Sequence, residues 1–121
     1  MAAPNLVNVS TITAKSVQAA LTTTLTTEIL ANASSSGKVY KVNNILVANI
    51  DGSSSADASV FITKSGGSPI AVASTIATPA DSTLVVVDKN TSIYLEEGDN
   101  IEAGANANSD LVITINYEEL S

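Results

Sequence analysis

The sequence predicts an all-β fold: an antiparallel β-sandwich, jelly-roll-like or immunoglobulin-like, of about eight or nine short strands. Three observations carry this reading. The apolar residues are Val, Ile, Leu and Ala with one Phe, three Tyr and no Trp, and Thr is abundant. β-Branched side chains lose rotamer freedom in helices and pack well on pleated surfaces. Turn-forming clusters recur roughly every 8–12 residues, and no stretch between them holds a helical period long enough for a βαβ crossover.

The strands follow in order. Val7 to Val17 alternates loosely and reads as one short strand or two. It belongs to an N-terminal arm or edge strand over residues 1–18, ahead of a sandwich domain at 19–121. Leu21, Thr23, Leu25, Thr27 and Ile29 share one parity, which predicts a half-buried strand from Leu21 to Leu30. The Leu21, Leu25, Ile29 spacing also fits a helix, but the run of Thr opposes one. After the turn cluster Ala33–Gly37, Lys38 to Ile50 is the longest strand candidate. Apolar groups fall on both of its parities, which predicts cover on both faces.

Asn49-Ile50-Asp51-Gly52 ends that strand, since Gly accepts positive φ and Asp bonds its own backbone. Ala58 to Lys64 and Ile70 to Ala77 form the next two strands, joined by Ser65-Gly66-Gly67-Ser68-Pro69. Ile70, Val72, Ser74 and Ile76 share one parity. Pro79 turns the chain because it lacks a ladder donor. Thr83 to Val87, Ser92 to Leu95, Asn100 to Ala105 and Leu111 to Tyr117 complete the set. Between the last three, Glu96-Glu97-Gly98-Asp99 and Asn106–Asp110 are turns, the first relying on Gly98 for left-handed backbone.

At 121 residues the chain is one domain, long enough to bury a core without disulfides or metal. Charged residues make up 14%, with a net charge of −7. That balance excludes phosphate-led nucleic-acid binding and docking on anionic membranes. Cys and His are both absent, which removes zinc-thiolate sites, disulfides and the commonest general base. No run approaches the ~20 apolar residues of a membrane helix. The start of the chain lacks the basic and apolar regions of a secretory signal, so the cytoplasm in which it is made is the expected compartment.

Catalysis has little to work with. A Ser–Lys pair is the remaining nucleophilic option, and Lys64-Ser65 places the two on opposite faces of a strand. Glu96-Glu97 and Glu118-Glu119 read as solvated acidic turns or ends rather than as a glycosidase pair. The chain is therefore expected not to be an enzyme, and no cofactor is expected. Oxygen-rich loops offer weak calcium candidates at Asp51, Asp57, Glu97 and Asp99, without EF-hand spacing. Tyr40 and Tyr117 are expected to be core or interface anchors, and Val7, Val9 and Ile12 to lie on an arm that adds to a neighbour's sheet edge.

Lys38-Val39-Tyr40-Lys41-Val42-Asn43-Asn44-Ile45, Asn49-Ile50-Asp51-Gly52, Thr78-Pro79-Ala80-Asp81, Leu84 to Lys89 and Ile93-Tyr94-Leu95-Glu96-Glu97-Gly98-Asp99 together give the chain a resemblance. Over roughly residues 20–119 it resembles small virion structural proteins of tailed bacteriophages, of the marine and cyanobacterial kind. The Leu-Glu-Glu-Gly-Asp turn also resembles a late turn of jelly rolls generally. The resemblance implies a virion β-sandwich that acts as a capsid decoration, or cement, protein. It implies a homo-oligomer, a trimer first, bound to the major capsid protein or other virion proteins. A tail, baseplate or fibre component is the alternative. A calcium-dependent carbohydrate-binding module or adhesin is a second alternative, disfavoured by the scarcity of aromatics.

Overall fold

The computed structural model describes residues 4–121. Nine strands run in the order β1 (Ile12–Ala20), β2 (Thr27–Ala31), β3 (Val39–Asn49), β4 (Ala56–Thr63), β5 (Ile70–Thr78), β6 (Thr83–Val87), β7 (Ile93–Leu95), β8 (Asn100–Ala105) and β9 (Leu111–Leu120). They form two antiparallel sheets. Sheet 1 has the order β1-β9-β3-β6 with β7 also on β3, and sheet 2 has the order β2-β8-β4-β5.

β6 and β7 follow one another along the same edge of β3, at Ile45–Ala48 and at Tyr40–Val42. Counted as one interrupted strand, they complete a nested pairing: first with last, second with second-last, and so inward to the β4–β5 hairpin. That nesting, wrapped into two layers, is a jelly roll. The immunoglobulin-like alternative is not realised, because β1, β2, β3 and β4 alternate between the sheets.

Alternation builds the core. On β9, Leu111, Ile113 and Ile115 are fully buried while Val112, Thr114 and Asn116 are half-exposed. Sheet 2 answers with Ala58, Val60, Ile101 and Ala103, all fully buried. Tyr40 and Tyr117 close one end of this core, their rings 5.1 Å apart.

Three expectations are corrected. The strand expected from Leu21 to Leu30 exists only as Thr27–Ala31. Leu21 is buried at the end of β1, Leu25 is exposed, and the stretch between is a crossover from sheet 1 to sheet 2. The threonines bond locally instead of in a ladder: Thr24 N–H donates to Thr22 Oγ1 at 3.3 Å, and Thr27 Oγ1 donates to the Thr24 carbonyl at 2.8 Å. The crossover lies so close over Gly104 that a Cβ there would sit 2.7 Å from the Thr24 carbonyl oxygen.

The mixed parity of β3 comes from a bulge, not from cover on two faces. Its register against β9 shifts between Val42 and Asn44. One extra residue moves the inward set from Tyr40 and Val42 to Ile45, Val47 and Asn49. The shared parity of Ile70, Val72 and Ile76 also breaks. The register of β5 on β4 shifts twice, Thr75 has φ 52°, and Ile70, Ala73 and Ile76 are the residues that face inward-pointing positions of β4.

Candidate functional site

The acidic turn residues are occupied within the chain. Asp99 is buried, and one oxygen of its carboxylate accepts from Glu96 N–H at 2.8 Å and bonds the Lys64 ammonium. The other accepts from Ser65 N–H at 3.0 Å. Burial alone would raise its pKa. The Lys64 ammonium and the two N–H groups outweigh burial, and the net shift is downward. Glu97 accepts from Gly37 N–H at 2.9 Å. Asp51 accepts from the N–H and hydroxyl of Ser53, both at 2.9 Å, as an Asx turn. Asp57 contributes its backbone N–H to Asn106.

The carboxylates of Asp51, Glu97 and Asp99 therefore hold turns, Asp57 lies in β4 with only its backbone bonded to Asn106, and among the described residues no three acidic side chains gather as a metal cluster. Gly98, with φ 87°, lets this turn form, and a side chain there would meet Ser65 Oγ at 2.7 Å.

Two buried asparagines do similar work at the two ends of the sandwich; sequence reading gave Asn49 only a place in a turn and passed over Asn32. Asn32 donates to the carbonyls of Lys38 and Leu95 and accepts from Ser36 Oγ at 2.6 Å. Asn49 donates to the carbonyls of Thr78 and Ser54 and accepts from Asp51 N–H. The Asn49–Thr78 bond ties sheet 1 to sheet 2. The signal in the sequence was an Asn beside a turn, which turn chemistry already explained.

The interface candidates separate. Val7 is 87% exposed in a 3-10 turn at Leu6–Asn8, and Ile12 is exposed at the start of β1. Val9 is half-buried. The rest of the expected arm, Ile12 to Gln18, is paired with β9 of its own chain. Residues 1–3 of that arm lie outside the described residues.

Tyr40 and Tyr117 are buried beside Glu119, which is itself buried and bridged by Lys15 and Lys38 at 3.1 Å each. Burial and the Glu119 carboxylate raise the Tyr40 pKa to about 12. Burial would raise Glu119 too, but the two lysines bring it down on balance. The group locks β1 to the start of β3.

What remains open to a partner is surface. The outward face of sheet 1 carries mostly neutral side chains, among them Leu46, Val85, Tyr94 and Val112. Its charges, Lys41 and Glu118, face each other in register. An open concavity of about 380 Å³ lies on this face beside the β3 bulge, lined by Ser16, Asn43, Asn116 and Glu118 among others. Asn116 Nδ2 donates across it to Asn44 Oδ1 at 2.7 Å. The outward face of sheet 2 is acidic where Glu28 stands opposite Glu102 on the neighbouring strand.

The second open surface is β5, the edge of sheet 2. Of its nine residues only Thr78 is buried and Ala73 half-buried. Ile70 is 68% exposed, Val72 44% and Ile76 40%.

Among the described residues no helix is long and apolar enough to cross a membrane. Comparison with known protein families, with curated proteins and with solved structures returns no match.

Proposed function

We propose that this chain is a virion structural protein that decorates the head of a tailed bacteriophage, binding the major capsid protein and stabilising the assembled shell. One observation carries the reading. The chain leaves two surfaces without net charge uncovered at different places, the outward face of sheet 1 and the β5 edge, while its acidic turn residues hold its own loops. A cement protein needs that layout: a rigid scaffold with one contact to the shell and another to a further copy. The sequence resemblance supports the same reading.

Binding the assembled shell and not its free parts stabilises that shell by mass action. Net charge −7 directs the chain toward protein surfaces and away from packaged nucleic acid.

Quantitative mass spectrometry of purified particles, normalised to the major capsid protein, tests this. Hundreds of copies per particle support a shell component. A few to a few dozen copies place the chain in the tail, baseplate or fibres instead. Absence from particles removes the virion reading.

A further inference from the structure

We propose that a second copy of this chain packs against the β5 side of the sandwich about a twofold axis. The inference stands whether or not the protein belongs to a virion.

The side chains themselves point to an unfinished wall. Ile70, Ala73 and Ile76 pair with Ile62, Val60 and Ala58, whose side chains face the core. They therefore belong to the core side of sheet 2, yet Ile70 and Ile76 stay exposed. The facing edge of sheet 1, formed by β6 and β7, does not reach over them, and Leu84, Val86 and Ile93 there are half-buried. The result is an apolar seam along one side of the molecule. A long, apolar, uncharged edge is an aggregation hazard in a chain that works alone.

Size fits a pair. Nine residues of strand span about 30 Å, and two sheets about 10 Å apart with their side chains make a wall about 20 Å deep. That is roughly 600 Å² on each copy and about 1,200 Å² in total, the lower bound of stable specific interfaces.

Charge selects a second copy as the occupant. Two chains of net charge −7 repel over most approaches. The run from Ser65 to Ala80 holds no charge and is the longest such run in the chain. Lys64 bounds it at one end and Asp81 at the other. A twofold axis across β5 lays the uncharged run of one copy on that of the other and keeps the acidic surfaces of both away from the contact. Lys64 is held within its own chain by Asp99 and Glu96, so the contact is carried by the apolar side chains.

The strand also limits the assembly to a closed pair. Its two register shifts and the left-handed Thr75 bend the edge, so a straight ladder cannot extend copy after copy. The twofold pair differs from the trimer that the sequence resemblance implies, and mass in solution separates the two.

Sedimentation equilibrium on the full chain provides the test. The expected mass is about twice 12.3 kDa. The double variant Ile70→Lys, Val72→Lys is expected to weaken association about a hundredfold or more while melting cooperatively. A milder pair, Ile70→Thr with Val72→Thr, is expected to weaken it about tenfold and serves if the lysine variant does not fold. Thr114→Lys, on the outward face of sheet 1, is expected to leave it unchanged. A monomer at about 100 μM, a trimer, or undiminished association in both β5 double variants would each overturn the proposal.

Discussion

The two strands β1 and β5 are both nine residues long and both lie at the edge of a sheet, yet the sequence treats them in opposite ways. β1 pairs with β9 over its whole length without a register shift. It carries Lys15, and that lysine holds Glu119. Val17 and Ala19 pack partly against the core. β5 pairs with β4 through two shifts, bends at Thr75 and carries no charge. A charged, regular edge is finished by its own chain, and a charge-free apolar edge is left for another.

Removal of β1 gives the largest expected effect. Deleting residues 12–20 uncovers β9 and the core beneath Val17 and Ala19, and breaks the Glu119 lock. Loss of a cooperative thermal transition is the expected result. Deleting residues 4–9 instead is expected to leave the melting temperature within about 2 °C, because that stretch buries no side chain fully. Equal effects of the two deletions would erase the distinction between strand and arm.

Next in size is Asp99→Ala, which leaves the N–H groups of Ser65 and Glu96 without their acceptor. Buried donors left unpaired cost about 1–3 kcal/mol each, so a loss of about 3 kcal/mol in chemical denaturation is expected. This turn anchors the hairpin that begins β5, and the variant is therefore expected to loosen β5 more than β1. Hydrogen exchange resolved by strand would show it.

Acid acts on both edges together. The pKa values of Asp99 and Glu119 are lowered in the folded chain. Groups of that sign contribute stability above their unfolded values, near 4, and the contribution is lost as pH falls through the folded values. The melting temperature is expected to be flat between about pH 6 and 8 and to fall below about pH 4. In Glu119→Gln part of the acid slope should vanish, with the Asp99 part remaining. An unchanged slope would mean that Glu119 does not couple β1 to the fold.

Much of this layout was legible in the sequence. Strands β3 to β8 follow from apolar runs between turn clusters, and β9 follows from strict alternation. Leu21 to Leu30 misled because its period of two was real while its threonines found local partners. β3 misled because a bulge changes which parity faces inward, and a bulge is a register property that only the partner strand reveals. The acidic turns looked like possible ligands because the sequence shows carboxylates without the N–H groups that occupy them. Nor was the contrast between β1 and β5 visible, since edge position depends on the order of strands in each sheet. The absence of charge between Lys64 and Asp81 was on the page, but it acquires meaning only at an edge.

The smallest expected effect sharpens the contrast most. Val17→Thr and Val72→Thr are the same change in the middle of the two edges. Val17 packs partly against the core, and replacing a methyl by a hydroxyl there is expected to cost about 1 kcal/mol. Val72 is 44% exposed, and the same change in a dilute monomeric sample is expected to stay within about 0.5 kcal/mol. Raising the protein concentration reverses the order if β5 is an interface, because only the Val72 variant then loses contact with another copy. Denaturation measured at two concentrations about a hundredfold apart therefore reads both roles in one experiment. Concentration-independent stability in both variants would leave β5 as an ordinary exposed edge, distinguished from β1 only by its lack of charge.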